Sequence, residues 1–310
     1  MDDSYFKISK DIKNAIIDNK PIVALESSLI SHGIPYPENI HVAKSSIEAV
    51  KKTGSLPATL GIIRGKIKVG LDDNDIQILA KNKNVLKVSK HNLSIAINRK
   101  INAATTVAST IYIASKIGIK FFATGGIGGV HLESEKTFDI SADLNELAKT
   151  KMYVICSGAK SILDLNKTYE RLETLGIPRI GYKSENMPGF WYHQTNKKLD
   201  WNFKTFTDLL EYLKTYEKVN DSFGTGGTSV LIFNPIPKNK SLEKKQIDQW
   251  IKKSIKKSKE NSIKGKDLTP YLIKEVNLLS KNKTLKANIE LIVNIAQLAG
   301  KLAKNFTLIK

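Results

Sequence analysis

Short apolar runs that alternate with amphipathic stretches predict an α/β protein, an α/β/α sandwich on a mixed central sheet with a helical C-terminal section. Three observations carry this. The runs at 22–25, 120–123, 152–156, 178–182 and 230–233 are short and apolar, as buried strands are. The stretches between them repeat apolar residues at helical spacing. Beyond residue 240 the pattern is helical only, with segments near 241–260, 269–280 and 286–304. The 310 residues, 41% apolar, can bury a sizeable core, and without an internal repeat or a Gly/Ser linker one domain over 1–310 is expected.

The elements follow in order. Ser9 is placed to cap a short helix, and Pro21 precedes the strand 22–25, which ends in Glu26-Ser27-Ser28. Residues 38–53 are helical, with Ile40, Ala43, Ile47 and Val50 on one stripe. The stretch 58–71 gives two strands turning at Arg64-Gly65. Helices are predicted at 72–81 and 103–117, and the strand 120–123 then runs into Thr124-Gly125-Gly126-Ile127-Gly128-Gly129. A strand at 152–156, a helix at 160–174, a strand at 178–182, a helix at 205–217 and a strand at 230–233 complete the alternation. The irregular segment 183–204 is a candidate lid or subunit contact.

The formal charge is +19, from 49 basic and 30 acidic residues, which invites a nucleic-acid reading. The basic residues are 45 lysines and only four arginines, whereas base-edge and bidentate phosphate recognition favour the guanidinium. Residues 238–286 alone hold 15 lysines against five acids, in tracts without interleaved aromatics. A solvated helix face explains this pattern, and no nucleic-acid partner is expected. No apolar run approaches the roughly 18 residues of a membrane span. The first twenty residues lack the apolar stretch of a secretory signal, and Cys156 is the one cysteine, so a cytoplasmic protein is expected.

Four polar clusters follow predicted strands: 26–28, 124–131, 139–143 and 157–161. In open α/β sheets ligands bind at such strand ends. The glycine cluster is not a dinucleotide fingerprint, since His131 stands where the last Gly or Ala belongs. Ser157-Gly158-Ala159-Lys160-Ser161 is not a phosphate-binding P-loop, because Ala159 precedes the lysine. The five histidines show no metal spacing. Any metal is therefore expected to be a hard ion such as Mg²⁺ or Mn²⁺ on Asp139 or Asp143, residues that can equally serve as helix N-terminal partners. Lys160, with no acid beside it in sequence, has the setting of a Schiff-base lysine; its bland alternative is a helix-start lysine facing solvent.

Taken together, the strings ALESSLISHGIPYPEN (24–39), LPATLGIIRGKIKVGL (56–71), NVLKVSK (84–90), AATTVAST (103–110), FATGGIGGVH (122–131), TFDISADLNELA (137–148), SGAKSILDL (157–165) and NPIP (234–237) resemble the pseudouridine-5'-phosphate glycosidase (indigoidine synthase A-like) family. The resemblance implies reversible cleavage of pseudouridine 5'-phosphate to uracil and ribose 5-phosphate, an Mn²⁺ ion and a homotrimer. It makes Lys160 the imine-forming nucleophile, Glu26 the proton donor and Asp139 the metal-associated carboxylate. Ser141, Ala142 and Asp143 become adjoining substrate contacts, and Lys87 and Val107 further substrate-binding positions. Thr124, His131 and Asn288 are additional site residues.

Such chemistry explains the residue types. Uracil leaves through carbon, too poor a leaving group for the two-carboxylate mechanism of ordinary glycosidases. An amine that opens the ribose can expel it with its nitrogen lone pair while an acid protonates the departing carbon. Lys87 and backbone N–H groups of the glycine loop are expected to hold the 5'-phosphate. The sequence departs from the family at Leu132-Glu133, commonly Arg-Gly, and at Lys90-His91-Asn92, where two arginines and an acid are usual. Two alternatives are a Schiff-base aldolase acting on another sugar phosphate and a basic nucleic-acid-binding module.

Overall fold

The computed structural model describes residues 4–224, 227–263 and 265–308, so both ends of the expected 1–310 domain lie outside the described residues. Its strands are β1 (Phe6–Ile8), β2 (Ile22–Leu25), β3 (Leu56–Ile63), β4 (Lys66–Val69), β5 (Leu86–Val88), β6 (Ala103–Thr105), β7 (Phe121–Ala123), β8 (Tyr153–Cys156), β9 (Arg179–Tyr182), β10 (Trp201–Phe203) and β11 (Val230–Phe233). The helices are α1 (Lys10–Ile17), α2 (Glu38–Lys51), α3 (Asp73–Lys81), α4 (Leu93–Asn98), α5 (Val107–Lys116), α6 (Ser134–Thr137), α7 (Ala142–Lys149), α8 (Leu165–Thr174), α9 (Phe206–Phe223), α10 (Lys244–Glu260), α11 (Leu268–Leu279) and α12 (Lys283–Leu308).

The sheet runs β1-β4-β3-β2-β7-β8-β11-β9-β10, and β6 and β5 branch from β3. From β3 to β10 every neighbour is parallel. The eight residues of β3 serve two neighbourhoods. Its first half pairs in parallel with β2, and its second half pairs antiparallel with β4 and β6. The result is the mixed sheet that the sequence predicts, with helices on both sides. α12 packs on α2 and across β2, β7 and β8, while α5 packs on α7 and β2. The central strands are buried throughout, which is why they read as continuous apolar runs.

Local chemistry sets the ends of the elements. Ser9 caps α1, and Asp72 caps α3 by accepting from the Asp75 N–H at 2.9 Å. The β3–β4 hairpin turns at Arg64-Gly65, both at positive φ (49° and 75°), and a side chain at Gly65 would strike the Ile97 carbonyl. No helix among the described residues is long and apolar enough to cross a membrane.

Four expectations are corrected. The helix predicted over 103–117 opens with three residues of strand, because Ala103–Thr105 pairs with both β3 and β5; only from Val107 is it helical. The helix predicted over 160–174 begins at Leu165, where Asp164 accepts from the Lys167 N–H at 3.0 Å, so Lys160 lies in a loop. The segment 183–204 is no exposed lid: Met187, Phe190, Trp191 and Tyr192 are buried, and its end supplies β10. Helices α9 and α12 also run further than expected, to Phe223 and Leu308. The strands β1, β5, β6 and β10 escape a pattern search because each is only three residues long and, unlike the equally short β7, none of the four is an apolar run ending in a glycine loop.

Candidate active site

Strand ends and loops converge on one cleft of about 300 Å3 beside β2, β5 and β6. Glu26, Lys87, Val107, His131, Asp139, Ser141, Ala142, Asp143 and Lys160 all line it. A narrow annexe of about 50 Å3 opens from the same residues Glu26, Ser28, Lys87 and Lys160 and reaches Asn288. Thr124 stands behind the cleft, donating its hydroxyl to one carboxylate oxygen of Glu26, while Ser28 donates to the other. All of the residues expected at the site are thus brought together, although more than 260 positions separate the first from the last in the sequence.

Each is held differently. Glu26 follows β2 directly, so its direction is set by the parallel ladder and by its two hydroxyl partners. Lys87 is the middle residue of β5, and its side chain is largely buried. Burial, and next the positive charge of Lys160, hold its ammonium below the ordinary lysine range, against the pull of Asp143, Glu26 and Asp139. Lys160 is half-buried; its N–H donates to the Ile127 carbonyl at 3.1 Å, and Ala159 bridges Ile127. The nearby thiol of Cys156 is buried and pushed up to about 12, so it stays protonated.

The glycine loop also braces the protein interior. The Gly128 N–H donates to Asp143 Oδ2 at 2.9 Å, that of Ile127 to the Gly158 carbonyl, and that of Val130 to Thr168. These three donors are spent inside the protein, so of the loop's N–H groups those of Gly125, Gly126 and Gly129 remain for a phosphate. A side chain on Gly128 would collide with Ser141 and Asp143, so close packing requires the glycine.

Asp143 is held by backbone. Its Oδ1 accepts from the Ala108 N–H at 2.9 Å, so both oxygens are engaged by backbone and tie the start of α5 to the glycine loop. Asp139 differs: it is half-buried, and its Oδ2 lies 3.9 Å from His131 Nδ1. His131 is buried, which holds its pKa below the usual histidine value despite Asp139, and its Nε2 meets the Thr269 hydroxyl at 3.4 Å. Asn288 Oδ1 accepts from the Trp191 indole N–H at 2.7 Å, so its amide is fixed in orientation with the NH₂ donors left for a ligand. Glu133 does not line the cleft; it pairs with Lys259 at 2.6 Å on the neighbouring groove.

Sequence reasoning missed His32, Ser89 and Thr269, which also line the cleft or its annexe. His32 sits in one of the quoted strings, six residues after Glu26, and the flanking Gly33 was the signal that could have found it. Thr269 comes from α11, and nothing local marks it.

A half-buried lysine, a carboxylate fixed by two hydroxyls and a second lysine, gathered at the C-terminal ends of a mostly parallel sheet, define an α/β protein equipped for amine and acid–base chemistry on a small anionic ligand. The sequence profile described as "Indigoidine synthase A like protein" matches residues 11–305, and the chain belongs to that family. It is 46% identical over 305 residues to a protein of Petrotoga mobilis named pseudouridine-5'-phosphate glycosidase, covering 98% of each chain. A protein of the same name from Brachyspira hyodysenteriae is 43% identical, over 98% of this chain and 97% of that one. Among solved structures, the prealnumycin C-glycosynthase AlnA in complex with ribulose 5-phosphate superposes with a TM-score of 0.88 at 33% identity, covering 98% of both chains. An indigoidine synthase A-like protein of Thermotoga maritima gives 0.87 at 28%, over 98% of this chain and 97% of that one.

Proposed function

We propose that the protein is a C-glycosidase that reversibly cleaves pseudouridine 5'-phosphate to uracil and ribose 5-phosphate. One observation carries the reading. In a chain 46% identical along its length to a protein named for that activity, Lys160, Glu26 and Lys87 meet in a single cleft.

In this reading the Lys160 amine attacks C1', and the C1'–O4' bond breaks as the ring oxygen takes a proton. Glu26 then protonates uracil C5. The C5–C1' bond breaks, its electron pair restores the C5–C6 double bond of uracil, and the nitrogen lone pair forms the C1' iminium. Water adds to the iminium, releasing ribose 5-phosphate and the free amine. The hydroxyls of Thr124 and Ser28 keep Glu26 aimed through both half-reactions. Lys87 and Val107 at the start of α5 receive the anionic end, with Ser141 and Ala142 beside them. Asn288 and the annexe receive the base.

An Mn²⁺ ion belongs to the same reading. Among the described residues no three carboxylate, histidine or cysteine side chains come together, but a hard ion that retains most of its water needs only one or two carboxylates. Asp139 fits that need and Asp143, committed to backbone donors, does not. A bound ion there would supply positive charge to the sugar-phosphate oxygens. The reading also includes a cytoplasmic homotrimer; exposed rings at Phe138, Trp201 and Phe223 support association, and sedimentation tests it.

Borohydride reduction with ribose 5-phosphate, followed by peptide mapping, is the decisive experiment. A ribityl adduct on Lys160 together with condensation of uracil and ribose 5-phosphate is the expected result. Absence of any adduct overturns the imine, an adduct on Lys87 overturns the assignment of the amine, and an adduct without condensation points to an aldolase.

A further inference from the structure

Among the described residues, two buried side-chain polar atoms lack a hydrogen-bond partner, His32 Nε2 and Ser89 Oγ. Leaving such an atom unmatched is costly, because it gives up its water without gaining a partner. Both residues line the cleft system, Ser89 in the main cleft and His32 in the annexe. Their confinement to one place points to a ligand that completes them.

His32 is carried by a single π-helical turn, Leu29–Gly33, which continues the chain from Glu26 and Ser28. Turns of this kind recur at functional sites because they re-aim a side chain. Around the annexe, Phe190, Ile273 and Ile292 supply apolar wall and Asn288 a fixed amide. Burial, then the charge of Lys87, bring the imidazole pKa down to about 4, with Asp267 pulling weakly the other way. The ring is therefore neutral near pH 7 and carries one N–H and one bare nitrogen. A neutral polar atom beside apolar side chains suits an uncharged flat heterocycle edged with N–H and C=O groups, while Lys87 and Lys160 on the same lining serve the anionic part of the ligand.

We propose that His32 is a specificity-determining residue for the base, its Nε2 hydrogen-bonding an N–H or C=O group on the edge of the pyrimidine held in the annexe. The proposal rests on the C-glycosidase reading. It adds to that reading a residue that discriminates the base without taking part in the imine.

The test pairs two measurements on the full chain: condensation of uracil with ribose 5-phosphate, and borohydride trapping with ribose 5-phosphate alone. His32→Ala is expected to raise the KM for uracil about 10- to 100-fold, as loss of a buried hydrogen-bonding partner does. The KM for ribose 5-phosphate and the trapping rate should stay at wild-type values. His32→Gln, which restores a polar atom at similar reach, should recover part of the uracil affinity. A uracil KM within about twofold of wild type in His32→Ala overturns the proposal, since even a weak buried hydrogen bond is worth more than that. An equal loss in trapping also overturns it, because that marks a structural role. If His32→Ala does not fold, His32→Gln is judged instead, and a trapping rate that falls with its uracil affinity overturns the proposal. Wild-type protein that neither traps nor condenses removes the C-glycosidase reading itself, so the two failures are distinguishable.

Discussion

The parallel region of the sheet and the mixed branch built on β3 face the same cleft but present their residues in different ways. The strands β2, β7 and β8 end in Glu26, the glycine loop with Thr124, and the loop that carries Lys160. Those groups stand just past the ends of buried strands, on backbone that has left the sheet. The branch offers Lys87 from the middle of β5 and Val107 from the first turn of α5. A strand residue points where the pleat sends it, and burial narrows its choice further. On the proposed reading the contrast is a division of labour: loop-borne groups for bond-making on the parallel side, a strand-borne anchor on the branch.

Substitutions can break this comparison. Lys160→Ala should reduce turnover by about 10⁴-fold or more, because the amine that opens the ribose is lost. Residual turnover near wild type would show that the parallel side does not hold the nucleophile. Glu26→Ala should lose about 10²–10⁴-fold in turnover while ribose 5-phosphate remains trappable, separating imine formation from proton delivery. Lys87→Ala is expected to raise the KM for ribose 5-phosphate about 10- to 100-fold with kcat changed far less, the mark of an anchor. A kcat collapse in that variant would merge the two regions into one catalytic unit.

A smaller effect lies in stability. His32 takes up its proton near pH 6.5 in the unfolded chain but only near pH 4 when folded. As the folded pKa is depressed, acidification favours the unfolded chain, and from pH 7 to 5 stability should fall by about 1–2 kcal/mol after allowance for screening. Buried His131 acts in the same direction. Urea midpoints at the two pH values measure the fall, and His32→Gln should make the curve flatter. Least affected should be Lys252→Ala, Lys253→Ala and Lys256→Ala combined: turnover unchanged, and any retention on RNA already lost at about 200 mM salt.

Much of this was legible beforehand because loops that carry chemistry have unusual composition. The alternation of buried runs and helices gave the sandwich, and the serine- and glycine-rich loops after the strands marked Glu26, Thr124 and Lys160. Lys87 was found only by resemblance, since a lysine inside a three-residue strand looks like any surface lysine. The segment containing Phe190 and Trp191 reads as a polar loop, yet its aromatics complete the core and orient Asn288, a long-range pairing that no local pattern encodes. The roles of Asp139 and Asp143 separate only once the backbone donors around Asp143 are seen.

The shared strand β3 has a mechanical consequence. Its two halves are hydrogen-bonded to opposite partners, so it acts as a continuous rod embedded in both regions, with no joint between them. Rocking one region against the other would require shearing a ladder on one side or bending the rod itself. The span between Lys160 on one side and Lys87 on the other is therefore set when the chain folds, and on the proposed reading a sugar phosphate of the matching length finds the gap already gauged.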